Sequence, residues 1–285
     1  MQTIEEIVQW IMERHELSMT SNPNSPDTDT TQTGTTSQTH EPSPYRCERC
    51  KDMGLWEPEY GKGWVVCDCQ KLRKAEARIK NSGLEGEIKE KTFKNFSIEH
   101  DWQKTMKDRA IAYGKAYMRA RNSGGKQPWF FIAGQPGSGK THICTALCGA
   151  MLKKEIPVYY MQWVTESRRL RALANDPNYD SMLWQYTDID ILYIDDLFKQ
   201  QGHQEIRVTD AEAKVLFEIL NTRYIQNKAT IISTEWYLET ELMALDDGTF
   251  SRIYERAKGY TVSIERGPDK NFRIQNLAKE DEATE

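Results

Sequence analysis

From about residue 93 onward the chain alternates two hydrophobic rhythms. Short, nearly continuous apolar runs ("WFFIAG", "VYYMQW", "DILYIDDL", "ATIIST", "GYTVSI") are separated by longer stretches whose apolar residues recur at helical spacing. Strands that are apolar on both faces belong to a sheet covered on both sides. The pattern therefore predicts an α/β domain over 93–285: a parallel sheet flanked by helices, with a disordered C-terminal tail.

The first ninety residues follow other rules. Ile4, Ile7, Val8 and Ile11 form one apolar stripe, so residues 1–17 read as a short helix. A lone helix of that length is marginal in water, so the stripe must dock, on this chain's own metal module or on a partner. Residues 18–44, "SMTSNPNSPDTDTTQTGTTSQTHEPSP", are rich in Ser, Thr and Pro and nearly devoid of bulky apolar residues. They cannot offset their ordering entropy and read as a flexible, disordered linker. Residues 45–92 hold four cysteines followed by a highly charged, partly helical connection, and read as a zinc-binding module.

Composition narrows the class. The length of 285 residues suits one α/β domain of about 150 to 200 residues plus something smaller. No apolar run approaches the roughly 18 residues of a membrane span. The N-terminus lacks the pattern of a signal peptide, so a soluble, cytoplasmic protein is expected. A net charge of −5 confines any nucleic-acid contact to a local patch.

"GQPGSGKT", Gly134 to Thr141, fits G-x-x-x-x-G-K-[ST]. Its glycines let the loop of Gly134, Gln135, Pro136, Gly137, Ser138 and Gly139 curl so that successive backbone N–H groups point at phosphate oxygens, and the helix opening with Lys140, Thr141 and His142 adds its positive end. Lys140 is expected on the β- and γ-phosphates of ATP and Thr141 on Mg²⁺. The strand "ILYIDD" ends in two acids. Asp195 is placed to hold Mg²⁺ and Asp196 to orient or polarise the attacking water.

Cys47 and Cys50 are spaced C-x-x-C, and Cys67 and Cys69 C-x-C. Four thiolates at these spacings fit a closed, structural Zn²⁺ site; disulfides or an iron–sulfur cluster are the alternatives. Cys144 and Cys148, four apart on a helix, read as small buried hydrophobes.

The order of Cys-rich module, "GQPGSGKTHI", "ILYIDDLFK", "ATIISTEW", "SRIYERAKGYTVSI" and "KNFRI" resembles the DnaC/DnaI family of AAA+ helicase loaders, in the form found in phages and prophages of Gram-positive bacteria. The resemblance runs from about residue 45 to 277. It implies an AAA+ P-loop NTPase in which Arg256 is the arginine finger, with Arg252 one turn earlier as reserve. It implies Arg273 as the sensor 2 arginine and, more weakly, Thr234 at sensor 1. Glu235 beside it brings negative charge near the phosphates and leaves the rate of hydrolysis in question. An arginine finger is supplied in trans, so self-association into an ATP-dependent oligomer follows. In "MQWVTESRRLRALANDP", where such loaders carry a helical insertion, Trp163 could stack a base of single-stranded DNA and Arg168, Arg169 and Arg171 could neutralise phosphates. The plainer reading is an amphipathic helix with a solvated basic face. The implied partner is a DnaB-type hexameric replicative helicase, gripped by the zinc module and delivered to single-stranded DNA. Two other readings share the core: a transposition helper similar to IstB, and a nucleotide-gated adaptor that barely hydrolyses ATP.

Overall fold

The computed structural model describes residues 45–58, 63–67, 69–70, 73, 77, 80–81, 83–200 and 207–272. The expected N-terminal helix, the linker and the C-terminal tail lie outside the described residues. The chain divides into two compact units, Met1–Gln70 and Lys71–Glu285. Sequence alone placed a boundary at 92/93; the segment before it carries Leu84 and Ile88, which are buried in the second unit's core. Charge dominates that segment in sequence, but two apolar side chains decide where it packs.

In the first unit a minimal antiparallel pair, β1 (Leu55–Trp56) and β2 (Val65–Val66), carries the cysteine knuckles. Among the second unit's elements with described bounds, the first are a single helical turn, α1 (Glu87–Glu90), and the long α2 (Asp101–Ser123). There follow β3 (Phe130–Ala133), α3 (Lys140–Lys153), β4 (Val158–Gln162), α4 (Trp163–Ala172), α5 (Tyr179–Asp188), β5 (Ile191–Leu197), α6 (Asp210–Ile225) and β6 (Ala229–Thr234). A π-helical turn over Leu238–Leu242 leads to α7 (Asp247–Arg256) and β7 (Thr261–Ser263). The five strands of this unit pair in parallel in the order β4-β5-β6-β3-β7, the α/β sheet the apolar runs predict.

Strand parity distributes the core. Phe130, Ile132, Ile191, Tyr193 and Ile231 face one layer with Tyr113 of α2 and Ile143 and Leu147 of α3. Phe131, Ala133, Leu192, Ile194 and Ile232 face the other, with Leu170 of α4, Ile219 of α6 and Phe250 of α7. Both parities are buried, which is why these strands show no polar alternation. Cys144 and Cys148 are wholly buried in the first layer, as small hydrophobes.

The second layer hides a cation. Arg223 of α6 is fully buried. Its guanidinium donates to the carbonyls of Tyr186 (2.8 Å), Thr187 (3.3 Å), Ile189 (3.0 Å), Asp190 (3.4 Å) and Ala229, and to Thr230 Oγ1 (3.1 Å). It thereby caps the carbonyl end of α5 and joins it to the starts of β5 and β6. Burial pulls its pKa down to about 9, and it stays charged at neutral pH. Among the described residues no helix is long and apolar enough to cross a membrane.

Arg223→Leu strands these carbonyls and is expected to cost about 3 kcal/mol or more of stability. Urea denaturation checks this: the midpoint should fall with little change in slope.

Candidate nucleotide site and cysteine cluster

The loop from Gly134 to Gly139 leaves β3 at the carboxyl edge of the sheet, where ligands of open α/β sheets bind. Gly137 has φ +79°, and a Cβ there would lie 2.1 Å from Asn271 Oδ1. Gly139, at φ +86°, turns the chain into α3. The loop closes on itself and on the C-terminal segment. Ser138 Oγ donates to the Gln135 carbonyl at 2.9 Å, Gln135 pairs through both ends of its amide with the Gly267 backbone (2.7 and 2.8 Å), and the Phe272 amide donates to the Gly137 carbonyl at 3.1 Å. Pro136 lies on the loop's partly exposed rim. Arg273 follows Phe272 directly but lies outside the described residues.

Lys140 is buried, and its ammonium donates to the carbonyls of Gly134 (2.7 Å) and Gln135 (2.9 Å). Burial lowers its pKa; the carboxylates of Glu235, Asp196 and Asp195 oppose that shift. His142 turns away from the cradle. Its Nε2 lies 2.9 Å from the Thr92 carbonyl and its ring meets Phe96 edge-on, so its side chain ties α3 to the incoming chain.

Asp195, at the end of β5, is 4% exposed. Its carboxylate accepts from Tyr193 (2.7 Å), Tyr160 (3.0 Å), Thr141 Oγ1 (3.3 Å) and Ser233 Oγ. The contact between Thr141 and Asp195 joins the two groups expected to hold Mg²⁺, so this donor set of hydroxyl and carboxylate oxygen fits a hard cation. Asp196 sits on a β-bulge between Ile194 and Leu197 with φ +54°, a conformation uncommon outside glycine. The bulge turns its side chain toward Lys199, whose Nζ lies 2.6 Å from Asp196 and 3.8 Å from Glu235. The charge of Glu235 is thus partnered.

The structure places several of these residues in other surroundings than expected. Thr234 Oγ1 donates to the Leu197 carbonyl (2.8 Å) and accepts from the Trp236 amide (3.2 Å), and is wholly buried. Ser233 faces the acids instead: its hydroxyl bonds Asp195 and accepts from the Asp196 amide at 3.2 Å. Parity carries the signal for it. Tyr193 registers with Ile231, so Ser233, two residues on, shares the face of Asp195. Tyr160, Tyr193 and Lys199 also escaped the sequence reading, because tyrosines in an apolar strand look like core.

Arg256 is nearly buried. Its guanidinium donates to Asn227 Oδ1 (2.9 Å) and the carbonyls of Tyr224 (2.9 Å) and Gln127 (3.3 Å), and lies 4.7 Å over the Tyr224 ring. Gln127 and Asn227 precede β3 and β6, so this cluster lies at the sheet edge opposite the cradle. Arg252 is the more accessible of the pair. It donates to the Gly248 carbonyl of its own helix and lies 5.7 Å over Phe217.

Trp163 is 1% exposed and packs edge-on against Phe198 at 5.4 Å, so it belongs to the core and cannot stack a base. Arg169 pairs with Glu166 (2.9 Å) and Arg171 with Glu212 (3.3 Å). Arg168 is exposed on the same helix.

In the first unit the four Sγ atoms of Cys47, Cys50, Cys67 and Cys69 all lie within 4.8 Å of one another. Cys47 and Cys67 are 3.8 Å apart, Cys50 and Cys69 3.4 Å. A tetrahedral Zn²⁺ with Zn–S bonds of about 2.3 Å needs edges of about 3.8 Å, so the cluster fits that ion. The knuckle is built locally: the Asp52 carboxylate accepts from the amides of Arg46 and Cys47, and the Cys67 amide donates to the Gly54 carbonyl. Burial raises the Cys50 thiol, but hydrogen bonds from Gly54 and the neighbouring thiols outweigh it and hold the pKa at about 7.

Native mass spectrometry of the full chain should show one zinc, lost in Cys50→Ser. Steady-state ATPase should separate the two hydroxyls of β6. Ser233→Ala is expected to lower kcat about tenfold, and Thr234→Val to leave kcat within about twofold while costing about 1 kcal/mol of stability.

The profile of the IstB-like ATP binding protein family matches residues 72–256. YqaM of Bacillus subtilis strain 168 is 31% identical over 212 residues, 73% of this chain and 65% of YqaM. The phage-like element PBSX protein XkdC of the same strain is 30% identical over 246 residues, 82% of this chain and 88% of XkdC. Among solved structures, a candidate primosome component from Streptococcus pyogenes serotype M3 superposes with a TM-score of 0.53 at 14% identity, over 69% of this chain and 97% of that one. The DnaC helicase loader gives 0.48 at 22% identity, over 61% and 96%. At 14% identity the likeness to the first of these concerns the fold alone. The extent of the profile match carries the assignment: this chain belongs to the IstB-like ATP binding proteins, with an AAA+ P-loop fold.

Proposed function

We propose that this protein is an ATP-dependent helicase loader: it binds a DnaB-type hexameric replicative helicase and delivers it to single-stranded DNA. The observation that carries the reading is the two-part plan. A complete phosphate cradle with paired acids stands in one compact unit, and a self-contained cysteine cluster stands in another. The resemblance of the motifs after Asp196 to DnaC/DnaI loaders supplies the partner class.

Bound ATP would lie along the 134–139 loop, with the ammonium of Lys140 exchanging its two loop carbonyls for phosphate oxygens. Thr141 and Asp195 would hold Mg²⁺, which neutralises charge on the β- and γ-phosphates. Tyr160, Tyr193 and Ser233 fix the Asp195 carboxylate by hydrogen bonds. Asp196 orients the attacking water and takes its proton as the γ-phosphoryl group leaves ADP. The finger would come from a neighbouring subunit, and Arg252 is the reachable arginine for it. Arg256 braces α7 from behind. Arg273 would reach the γ-phosphate from the segment already tied to Gly137.

The cysteine unit would grip the helicase, and residues 18–44 would tether the N-terminal segment. A second reading, a transposition helper, takes its support from the family's name. One experiment addresses both. Full-length protein and a variant starting at residue 71 are used to capture partners from host extract in ATP. Full-length protein is expected to retain the replicative helicase; the shortened variant should lose it while binding ATP normally. Capture of a transposase, or retention of helicase by the shortened variant, overturns the assignment.

A further inference from the structure

Asp195 divides its hydrogen bonds unequally between its two oxygens. Oδ1 accepts from Tyr193 (2.7 Å), Thr141 (3.3 Å) and Ser233. Oδ2 accepts from Tyr160 at 3.0 Å, its one donor among the described residues. A carboxylate oxygen offers about two acceptor sites. Oδ1 is therefore full, and the oxygen left for a cation, or for a water in its shell, is Oδ2. Tyr160 is the group that holds that oxygen in place.

Tyr160 is in turn held from outside the cradle. It is half-buried on β4, with its ring centre 5.4 Å from that of Tyr193. Gly83 lies against it at φ +77°; the three atoms nearest to a Cβ placed there all belong to Tyr160, at 3.6 to 3.9 Å. Leu84 and Ile88, just beyond, are buried in the core. Ile88 rests on Gly149 of α3, where an added Cβ would lie 3.3 Å from it. The segment is thus anchored on the helix that follows the phosphate loop and leans on Tyr160.

We propose that Tyr160 sets the Mg²⁺ affinity of the nucleotide site and that the segment from Gly83 to Ile88 sets the position of Tyr160. With Gly83 against the ring, the hydroxyl fixes the carboxylate so that the open side of Oδ2 faces the cation. The inference rests on the reading of Thr141 and Asp195 as the holders of Mg²⁺. Hydrogen bonds to a metal's carboxylate ligand fix its orientation and so raise affinity. Tyr160 is a positioning residue, acting through Asp195. Control of Mg²⁺ binding then lies on the stretch of chain that joins the two units.

The test uses the full-length protein. Affinity for a non-hydrolysable ATP analogue is measured by isothermal titration across Mg²⁺ concentrations and in EDTA, with the urea midpoint of every variant alongside. Mg²⁺ should tighten binding by the wild type. Tyr160→Phe should raise the Mg²⁺ concentration needed for half of that gain about tenfold, with the affinity in EDTA within about twofold of wild type. Gly83→Val, strained at positive φ, should shift the requirement in the same direction, and Gly83→Ala by less. Tyr160→Phe combined with Gly83→Val should do no more than Tyr160→Phe alone, because both act on one contact. Tyr159→Phe, one residue away on β4 but packed in the opposite layer against Tyr186, should titrate as wild type. An unchanged Mg²⁺ requirement in Tyr160→Phe, or an equal shift in Tyr159→Phe, overturns the proposal. Full additivity of the Gly83 and Tyr160 effects overturns the part given to the segment. Wild-type binding that Mg²⁺ does not tighten, or tightening that survives Asp195→Asn, overturns the underlying reading of Thr141 and Asp195 instead.

Discussion

A carboxylate taken out of water must be surrounded by donors, and Asp195 shows how much structure that requires. Its two oxygens accept from Tyr160 on β4, Tyr193 on β5, Ser233 on β6 and Thr141 on α3. Three neighbouring strands and the helix after the phosphate loop therefore have to end at the same level. The parallel registers of β4 with β5 and of β5 with β6 meet that condition. A slip of one residue would present the opposite face of a strand and leave the charge unsatisfied. The site's geometry and the sheet's register are held by the same hydrogen bonds.

One residue later the constraint inverts. Asp196 is carried by a bulge at positive φ, where the ladder between β5 and β6 breaks. That irregularity separates two adjacent acids into different environments, one buried and fully bonded, the other half-exposed beside Lys199. Adjacent like charges with different partners can take different chemical roles. Glu235, a concern in sequence, joins the same ion-pair group, and its charge is offset there.

The two units solve stability differently. The sheet unit buries both strand faces and even a cation, Arg223, whose donors are used up on backbone carbonyls that helix and strand ends would otherwise leave open. Among its described residues the cysteine unit has two-residue strands and no comparable core. Its four sulfurs, on turns closed by Asp52 and Gly54, are spaced to fit a common ion, which would take the place of apolar burial.

Local chemistry was legible from the chain alone. The strand runs, the glycine loop before Lys140 and Thr141, the acids closing a strand and the four-cysteine spacing are all short-range patterns whose physics acts within a few residues. What depends on which side chains meet across the fold was not. Trp163 looked available to a base and is core. Arg256 looked like a free finger and is tied to Tyr224, Asn227 and Gln127. Thr234 looked like the polar sensor, yet register puts Ser233 on the face of Asp195. Lys199 had no sequence signal, because its contacts are to two acids, one on a bulge and one just past β6. The sequence by itself determined the elements and the residue types that bind phosphate and metal. Only the tertiary structure decided which polar groups face the site, since that choice is made by strand parity, register and burial.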